Sequence, residues 1–432
     1  MAQLPGMGTA YGGLSSMSVR QKLALAALGI LLLLFLIAML GSPGTSDARL
    51  FEKWLTNAVN LGPKNGFLAN AEDNPPLGTA ILWLVHFATY PFGLNEFWTL
   101  KAAVLAALII TSVLVFFWTE SALGALAVIP LLGLNSVALG YLDILFAFTL
   151  VGSLWALQAR RYEIASALFA ICALTKWQPL IIFPFVTMYF LIGERSGPDL
   201  RKTWFRVWPG ALICLVVVAV YGWTPIDNAL LAATRQRFLS GNALNFNWVL
   251  TSYLENFHSR SWGGLLNGKL VHHLYVTDSL LVIIRSVFYT FYGLILLLFA
   301  LRKRTFSEFL LYSAAGFLCY FTFNTGAHEN HLVVGALLLL VLGLQDKDFR
   351  VHALFVGAML NINLFIFYNY TGLPVTQFDR APLGIDITVL FAGLNTAFFL
   401  YFLTAYILPR VQDVRGLKRY IGWPPAEKSQ EI

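Results

Sequence analysis

KLALAALGILLLLFLIAML, residues 22–40, followed at once by GSPGTSD, residues 41–47, decides how the rest of the chain is read. A bilayer-crossing helix needs roughly 20 mostly apolar residues, and Lys22 is the only charge in this run. The run is too long for the apolar core of a signal peptide, and no small-residue cleavage site lies directly behind it. It reads as an uncleaved anchor, with Asp47 a few residues beyond its end.

Working outward, further apolar runs fall near 76–93, 98–118, 142–158, 160–176, 178–193, 207–223, 279–301, 306–323, 331–345, 351–369 and 386–409. Composition agrees with this density. Of 432 residues, 58% are hydrophobic and 12% charged, whereas a soluble domain carries about 25% charged residues. That excludes a soluble globular protein, a disordered chain and a secreted disulfide scaffold. The expected fold is all-α, a polytopic helical membrane protein of about twelve spans. The formal charge of +7 reads as basic cytoplasmic loops, so no nucleic-acid partner is expected. Cys172, Cys214 and Cys319 sit far apart in apolar runs and read as small apolar filler.

Basic clusters set the orientation. Arg20 with Lys22, Arg160-Arg161, the stretch from Arg195 to Arg206, Arg302-Lys303-Arg304, Lys347 with Arg350, and the tail from Arg410 all belong on the cytoplasmic side. Both termini are then cytoplasmic, as in a bacterial inner-membrane protein whose site faces the periplasm or exterior. Alternation from the two ends leaves 119–141 starting and finishing outside. Too short to cross twice, this segment is expected to form one re-entrant hairpin, irregular backbone tolerated only beside protein or a wet cavity. The expected organisation is a cytoplasmic segment 1–21, a catalytic core 22–345 with outer loops 42–75 and 224–278, C-terminal helices 346–409, and a basic tail 410–432.

The candidate site residues lie at outer span ends. Asp47 sits where a carboxylate can act as general base on a hydroxyl from the water side; the plainer reading is a polar loop with a capping Ser46 or Asp47. Phe51, Trp54, Leu55, Val59 and Leu61 have helical spacing and predict a helix lying flat on the membrane. The loop closes with Glu72-Asp73-Asn74-Pro75-Pro76. Asn135-Ser136 and Gly140-Tyr141-Leu142-Asp143 come next, Asp143 at the outer end of a span. Lys176, the sole charge between Glu163 and Glu194, reads either as a cation for a phosphate or as a snorkelling anchor.

In the second outer loop, Arg235 and Arg237 form a fork that suits a phosphate, while Asn245, Asn247 and Trp248 suit a sugar. The neighbours His272-His273 face different directions on a helix and are not a metal pair. His328-Glu329-Asn330-His331 falls short of a zinc-protease helix, because the second His must come four residues after the first and position 332 is Leu. The four polar residues remain a site candidate.

In order along the chain these elements resemble the GT-C glycosyltransferases, polytopic enzymes that use polyprenyl- or dolichyl-phosphate sugars. The likeness is greatest to mannosyl- and glucosyltransferase-like members. Asp47 matches the acidic residue after the first span, and Asp73-Asn74-Pro75-Pro76-Leu77 looks like D-Y-P-P-L with Asn74 replacing the aromatic. Asn135-Ser136 through Asp143 looks like N-S…G-Q-x-D with Tyr141 replacing Gln. Lys176-Trp177-Gln178-Pro179 is similar to K-x-Q-P, and His328-Glu329-Asn330-His331-Leu332 to H-E-x-H-L/Y. The resemblance covers about residues 20–345.

It implies an inverting transferase that moves a sugar from a polyprenyl-phosphate donor to a hydroxyl on a glycolipid, lipid-linked glycan or protein acceptor. Asp47 is the implied catalytic base. Arg237, Arg235, Lys176 and His328 are the expected donor-phosphate ligands. Asp73, Asp143, Glu329, His331, Asn245 and Asn247 are the expected sugar or acceptor ligands. No cofactor is expected and no metal is required, although Asp47 with Asp73 or Glu72 offers one a place. The rival readings are a lipid-linked glycan transporter or flippase, and an O-antigen polymerase or ligase.

Overall fold

The computed structural model describes residues 17–70, 74–192, 200–235, 237–257, 263–266, 273–302, 305–373 and 386–409. The architecture is all-α. Among the described residues seven helices are long and apolar enough to cross a bilayer, in 19–40, 96–119, 203–221, 278–300, 306–323, 347–368 and 387–407, and five apolar helices are shorter.

Local chemistry starts these helices where the sequence changes from polar to apolar. Helix α1 (Val19–Leu40) opens on a capping box, in which Gln21 N–H donates to Ser18 Oγ at 3.3 Å and Ser18 N–H to Gln21 Oε1 at 2.9 Å. Such reciprocal bonds satisfy two of the unpaired donors at a helix start. Helix α2 (Ser46–Asn70) breaks at Gly62, where φ is 80°, and Pro63 follows. Its second half folds back on the first, Asn57 Nδ2 donating to Asn70 Oδ1 at 2.5 Å. Phe51, Trp54 and Leu55 are buried in the main core. The Phe51, Trp54 and Leu55 part of the α2 stripe therefore faces protein, while Leu61 at its end is exposed.

Contacts at helix ends sort the bundle into two ends. One end gathers the close of α4 (Glu96–Thr119), the start of α5 (Ala122–Gly133) and the close of α6 (Asp143–Gln158). There Trp118 Nε1 donates to Gln158 Oε1 at 2.5 Å. Helix α14 (Val333–Gln345) ends beside them, with Gln345 Nε2 donating to Gln158 Oε1 at 3.4 Å. The start of α7 (Tyr162–Thr175) joins this end too, since Ser153 Oγ donates to Ala165 O at 2.8 Å. So does the start of α9 (Leu200–Tyr221), where the Arg206 guanidinium stacks 4.3 Å from the Tyr162 ring. The start of α13 (Phe306–Phe323) follows through the Trp118 and Phe306 rings, 6.3 Å apart. Arg160, Arg161, Arg206, Arg302, Lys347 and Arg350 all flank helix termini at this end.

At the opposite end, Thr45 N–H donates to Leu139 O at 3.0 Å. Helix α3 (Pro76–Thr89) begins and finishes there. A Cβ at Gly78 would lie 3.2 Å from Thr175 O, the last residue of α7, and Thr89 Oγ1 lies 3.0 Å from Thr99 Oγ1 in the first turn of α4. The 76–93 segment therefore does not traverse the bundle as its hydropathy predicts.

The 119–141 segment does traverse it, and it is no hairpin. Helix α5 runs on through a π turn, Leu134–Ala138, without reversing. Gly124 packs against Leu344 at the basic end, while the carbonyls of Val137 and Ala138 meet Lys101 Nζ at the other, at 2.6 and 3.1 Å. Pro130 does not break this helix; the Asn361 amide donates to Pro130 O at 3.1 Å beside it. The two departures offset one another, so the alternation of basic loops survives without a re-entrant element.

The remaining helices are α8 (Phe183–Ile192), α10 (Thr224–Arg235), α11 (Phe246–Phe257), α12 (Asp278–Ala300), α15 (Arg350–Tyr368) and α16 (Ile387–Phe402). Four short strands accompany them. β1 (Ser240–Gly241) pairs parallel with β4 (Ala327–His328), and β2 (Gly263–Leu266) antiparallel with β3 (His273–Val276). Residues after 346 share the main core, since Leu360, Phe399 and Phe402 cluster with Leu36 and Phe146.

Candidate active site

Asp47 occupies the first turn of α2, where helix N-terminal amides favour a carboxylate. The bond from Thr45 to Leu139 holds the chain just before it, as does Ser42 Oγ donating to Tyr370 O at 2.8 Å. Gly140, with φ of 77°, lies against the next residue; a Cβ there would stand 2.7 Å from the Ala48 Cβ. Only glycine combines that dihedral with that approach. Burial raises the Asp47 pKa above its ordinary 3.8. The Glu329 charge raises it further, with a smaller contribution from Asp143, while Lys176 and His328 pull it back. Among the described residues no hydrogen bond holds the Asp47 side chain.

Four stretches distant in sequence meet here. The π turn widens the end of α5, and Asn135 Nδ2 donates to Asp143 Oδ2 at 3.3 Å. π turns of this kind are frequent at functional sites. Asn330 Nδ2 donates to the same oxygen at 2.8 Å, and Lys176 Nζ meets Asp143 Oδ1 at 2.6 Å. Asp143 is thus a buried, fully engaged carboxylate that ties α5, α7 and the 328–331 turn together. Lys176, expected on a donor phosphate, has this carboxylate as its partner.

Glu329 accepts a hydrogen bond from the Tyr141 hydroxyl, and Tyr368 bonds the same carboxylate. Burial and the Glu329 charge push the Tyr141 hydroxyl well above its ordinary pKa, so it stays a donor. His331 Nδ1 takes the His328 N–H at 3.2 Å and lies 3.0 Å from the Tyr320 hydroxyl. That fixes the turn. The His328 ring is more open, its side chain 35% exposed, with Nδ1 at 3.9 Å from Glu329 Oε2. Phe238 packs edge-on against it at 5.8 Å, and a Cβ at Gly241 would lie 2.6 Å from its Nδ1.

Asn245 and Asn247 lie outside this cluster of charges. Asn245 Nδ2 donates to Phe321 O at 2.6 Å, and Asn247 Nδ2 to Phe323 O at 3.1 Å and Asn324 O at 2.9 Å. The last carbonyls of a helix lack intrahelical partners, and these amides satisfy those of α13. Asn363 and Asn395 hold the preceding residues of the same loop, at Asn242 O and Leu244 O, both at 2.7 Å. Expected on a sugar, both asparagines use Nδ2 to fasten the loop to the bundle, while Asn247 Oδ1 is buried without a hydrogen-bond partner among the described residues.

Arg237 is exposed and 3.5 Å from Asp278, itself exposed. Asp73 and the Arg235 side chain lie outside the described residues. Three side chains at this end went unnoticed in the sequence. Arg285, inside the apolar run of α12, donates through Nε to Thr325 Oγ1 at 3.1 Å, on the turn that leads to His328. Lys101 is a second charge inside an apolar run, and Tyr368 closes α15 beside Glu329. Ionisable residues within spans are costly and mark function by default, a signal Arg285 and Lys101 both carried.

Among the described residues no group of three or more His, Cys, Asp or Glu side chains is placed to hold a metal ion. Neither a protein-family model nor a curated relative matches the chain. Its function is therefore argued from the site.

Proposed function

We propose that this protein is an integral-membrane glycosyltransferase of GT-C type that takes a sugar from a polyprenyl-phosphate donor and inverts the anomeric centre. The observation that carries the reading is the placement of Asp47. It is a partly buried carboxylate with a raised pKa, free of hydrogen bonds among the described residues, set among Glu329, Lys176, His328 and Asp143.

The acceptor hydroxyl oxygen attacks the anomeric carbon from the face opposite the phosphate, and its proton passes to Asp47. The bond between the anomeric carbon and the phosphate oxygen breaks, and the lipid phosphate leaves with one more negative charge. Fixed cations aimed at that charge lower the barrier. We assign this role to Arg285, which bonds Thr325 on the turn before His328, and to His328; Lys176 is paired with Asp143. Tyr141, Tyr368 and Glu329 form a wall of hydroxyls and carboxylate that suits sugar hydroxyls.

We read the seven long helices and the five shorter apolar ones of the described residues as twelve crossings, with α3 lying across the outer end. The end rich in Arg160, Arg161, Lys347 and Arg350 is then cytoplasmic, and Asp47 faces the exterior or periplasm. Sugar transfer in proteoliposomes, using a panel of labelled polyprenyl-phosphate sugars and a crude lipid acceptor extract, tests the reading. Transfer from one donor supports it. Turnover that requires no lipid-phosphate sugar contradicts it.

A further inference from the structure

At the basic end, far from Asp47, a cleft of about 510 Å³ opens between α5, α14 and α15. Its walls are small or apolar, Ala127, Pro130, Leu344 and Ala358 among them, and only Ser121, Arg350 and Asn361 contribute polar side chains. Those three stand at its two extremities. Ser121 caps α5 and Arg350 opens α15 at one, and the Asn361 amide donates to Pro130 O at the other. The rim faces outward: Leu123 is 56% exposed and Leu354 73%.

The dimensions match one lipid leaflet. Arg350 and Asn361 lie on one helix, and eleven residues at 1.5 Å each span about 16 Å. The hydrocarbon core of a bilayer is about 30 Å thick, so the cleft runs from the headgroup level to the midplane. A cavity of this volume is ample for a small ligand, and an apolar slot with a guanidinium at its mouth selects a long chain with an anionic head. Arg350 Nε donates to Gly343 O at 3.3 Å, which holds the guanidinium at the mouth, where its fixed charge attracts a phosphate.

We infer that this cleft is a binding site for a membrane phospholipid of the cytoplasmic leaflet. One acyl chain lies along Ala127, Leu344 and Ala358, and the phosphodiester sits at Arg350 beside the Ser121 hydroxyl. The site does not depend on the transferase reading; its leaflet rests on the orientation proposed above. Its occupant braces α5, the helix whose other end carries Asn135 on Asp143.

Delipidated full-length protein is titrated with dioleoylphosphatidylglycerol and with dioleoylglycerol, and bound lipid is counted by native mass spectrometry. Wild type is expected to take up one phosphatidylglycerol saturably and to bind the neutral diacylglycerol at least about tenfold more weakly. Arg350→Gln removes that charge and weakens phosphatidylglycerol about tenfold. Ala358→Trp, which fills the slot from an exposed position, abolishes saturable uptake, and Ala127→Phe does the same should the first variant fail to elute as a monodisperse peak. Equal affinity for the two lipids overturns the placement of phosphate at Arg350. Undiminished uptake by a folded slot-filling variant overturns the site.

Discussion

Lys176 Nζ stands 2.6 Å from Asp143 Oδ1, with the Asp143 side chain fully buried and that of Lys176 12% exposed. The pair joins the end of α7 to the start of α6, and Asn135 and Asn330 complete the other carboxylate oxygen. Removing one partner of a buried pair leaves an uncompensated charge, which costs about 3–5 kcal/mol. Lys176→Met is therefore expected to lower the thermal unfolding midpoint sharply. Adding Asp143→Asn should recover a large part of the loss. An unchanged midpoint in the single variant would mean that Lys176 is held for a ligand and not for Asp143.

Asn245 is a fastening for the loop. Its amide supplies the hydrogen bond that Phe321 O lacks at the end of α13, and a buried carbonyl left unsatisfied costs about 1–3 kcal/mol. Asn245→Ala should lower stability by that order and speed proteolysis within the second outer loop, while the protein that remains folded keeps its affinity for donor. Normal stability with weakened donor binding would return Asn245 to a sugar-contacting role.

Arg285 offers a guanidinium within the apolar helix α12 and engages a neutral hydroxyl, Thr325 Oγ1. If its remaining donors meet the leaving phosphate, Arg285→Gln should cut the transfer rate by about 10²–10³-fold, the usual loss for one such donor. Arg237→Gln should change the rate little, because Arg237 is exposed beside Asp278, outside the cluster around Asp47. The opposite ranking in single-turnover rates would relocate the phosphate to the outer loop.

The exchange of α3 for α5 as a crossing segment is open to labelling. Single cysteines placed at Leu94 and at Glu120, in a background without Cys172, Cys214 and Cys319, should react with an impermeant maleimide from opposite sides. Leu94 is expected outside and Glu120 inside. Reaction in the reverse sense would restore the span at 76–93 and the hairpin at 119–141.

Hydropathy and basic loops made the all-α architecture legible, because covering so many apolar residues leaves few solutions. They failed at α3 and α5 for a physical reason. Both segments are apolar and both are short of a full crossing length, so composition does not separate a helix lying across one end from one buried through the middle. Asp47, Asp143 and Glu329, distant in sequence and each at the start of a helical turn, do come together in one cluster. The backbone bonds of Asn245 and Asn247 were not legible, because an amide that pairs with backbone and one that awaits a sugar look the same in sequence. Arg285 and Lys101 were missed within their apolar runs, although a lone charge there is itself a signal.

Asp47→Asn tests the central claim most directly. The change is near-isosteric and removes the base, and the Asp47 side chain holds no hydrogen bond among the described residues, so the variant should fold. Burial, then the Glu329 charge, raises the Asp47 pKa above 3.8, and only the ionised form accepts the proton. Wild-type transfer is therefore expected to rise with pH through an acid limb above that value. The loss in the variant should be about 10²–10⁴-fold, the usual contribution of a positioned base, at every pH on the plateau. A monodisperse Asp47→Asn protein that transfers sugar at the wild-type rate, with the acid limb intact, would contradict the account.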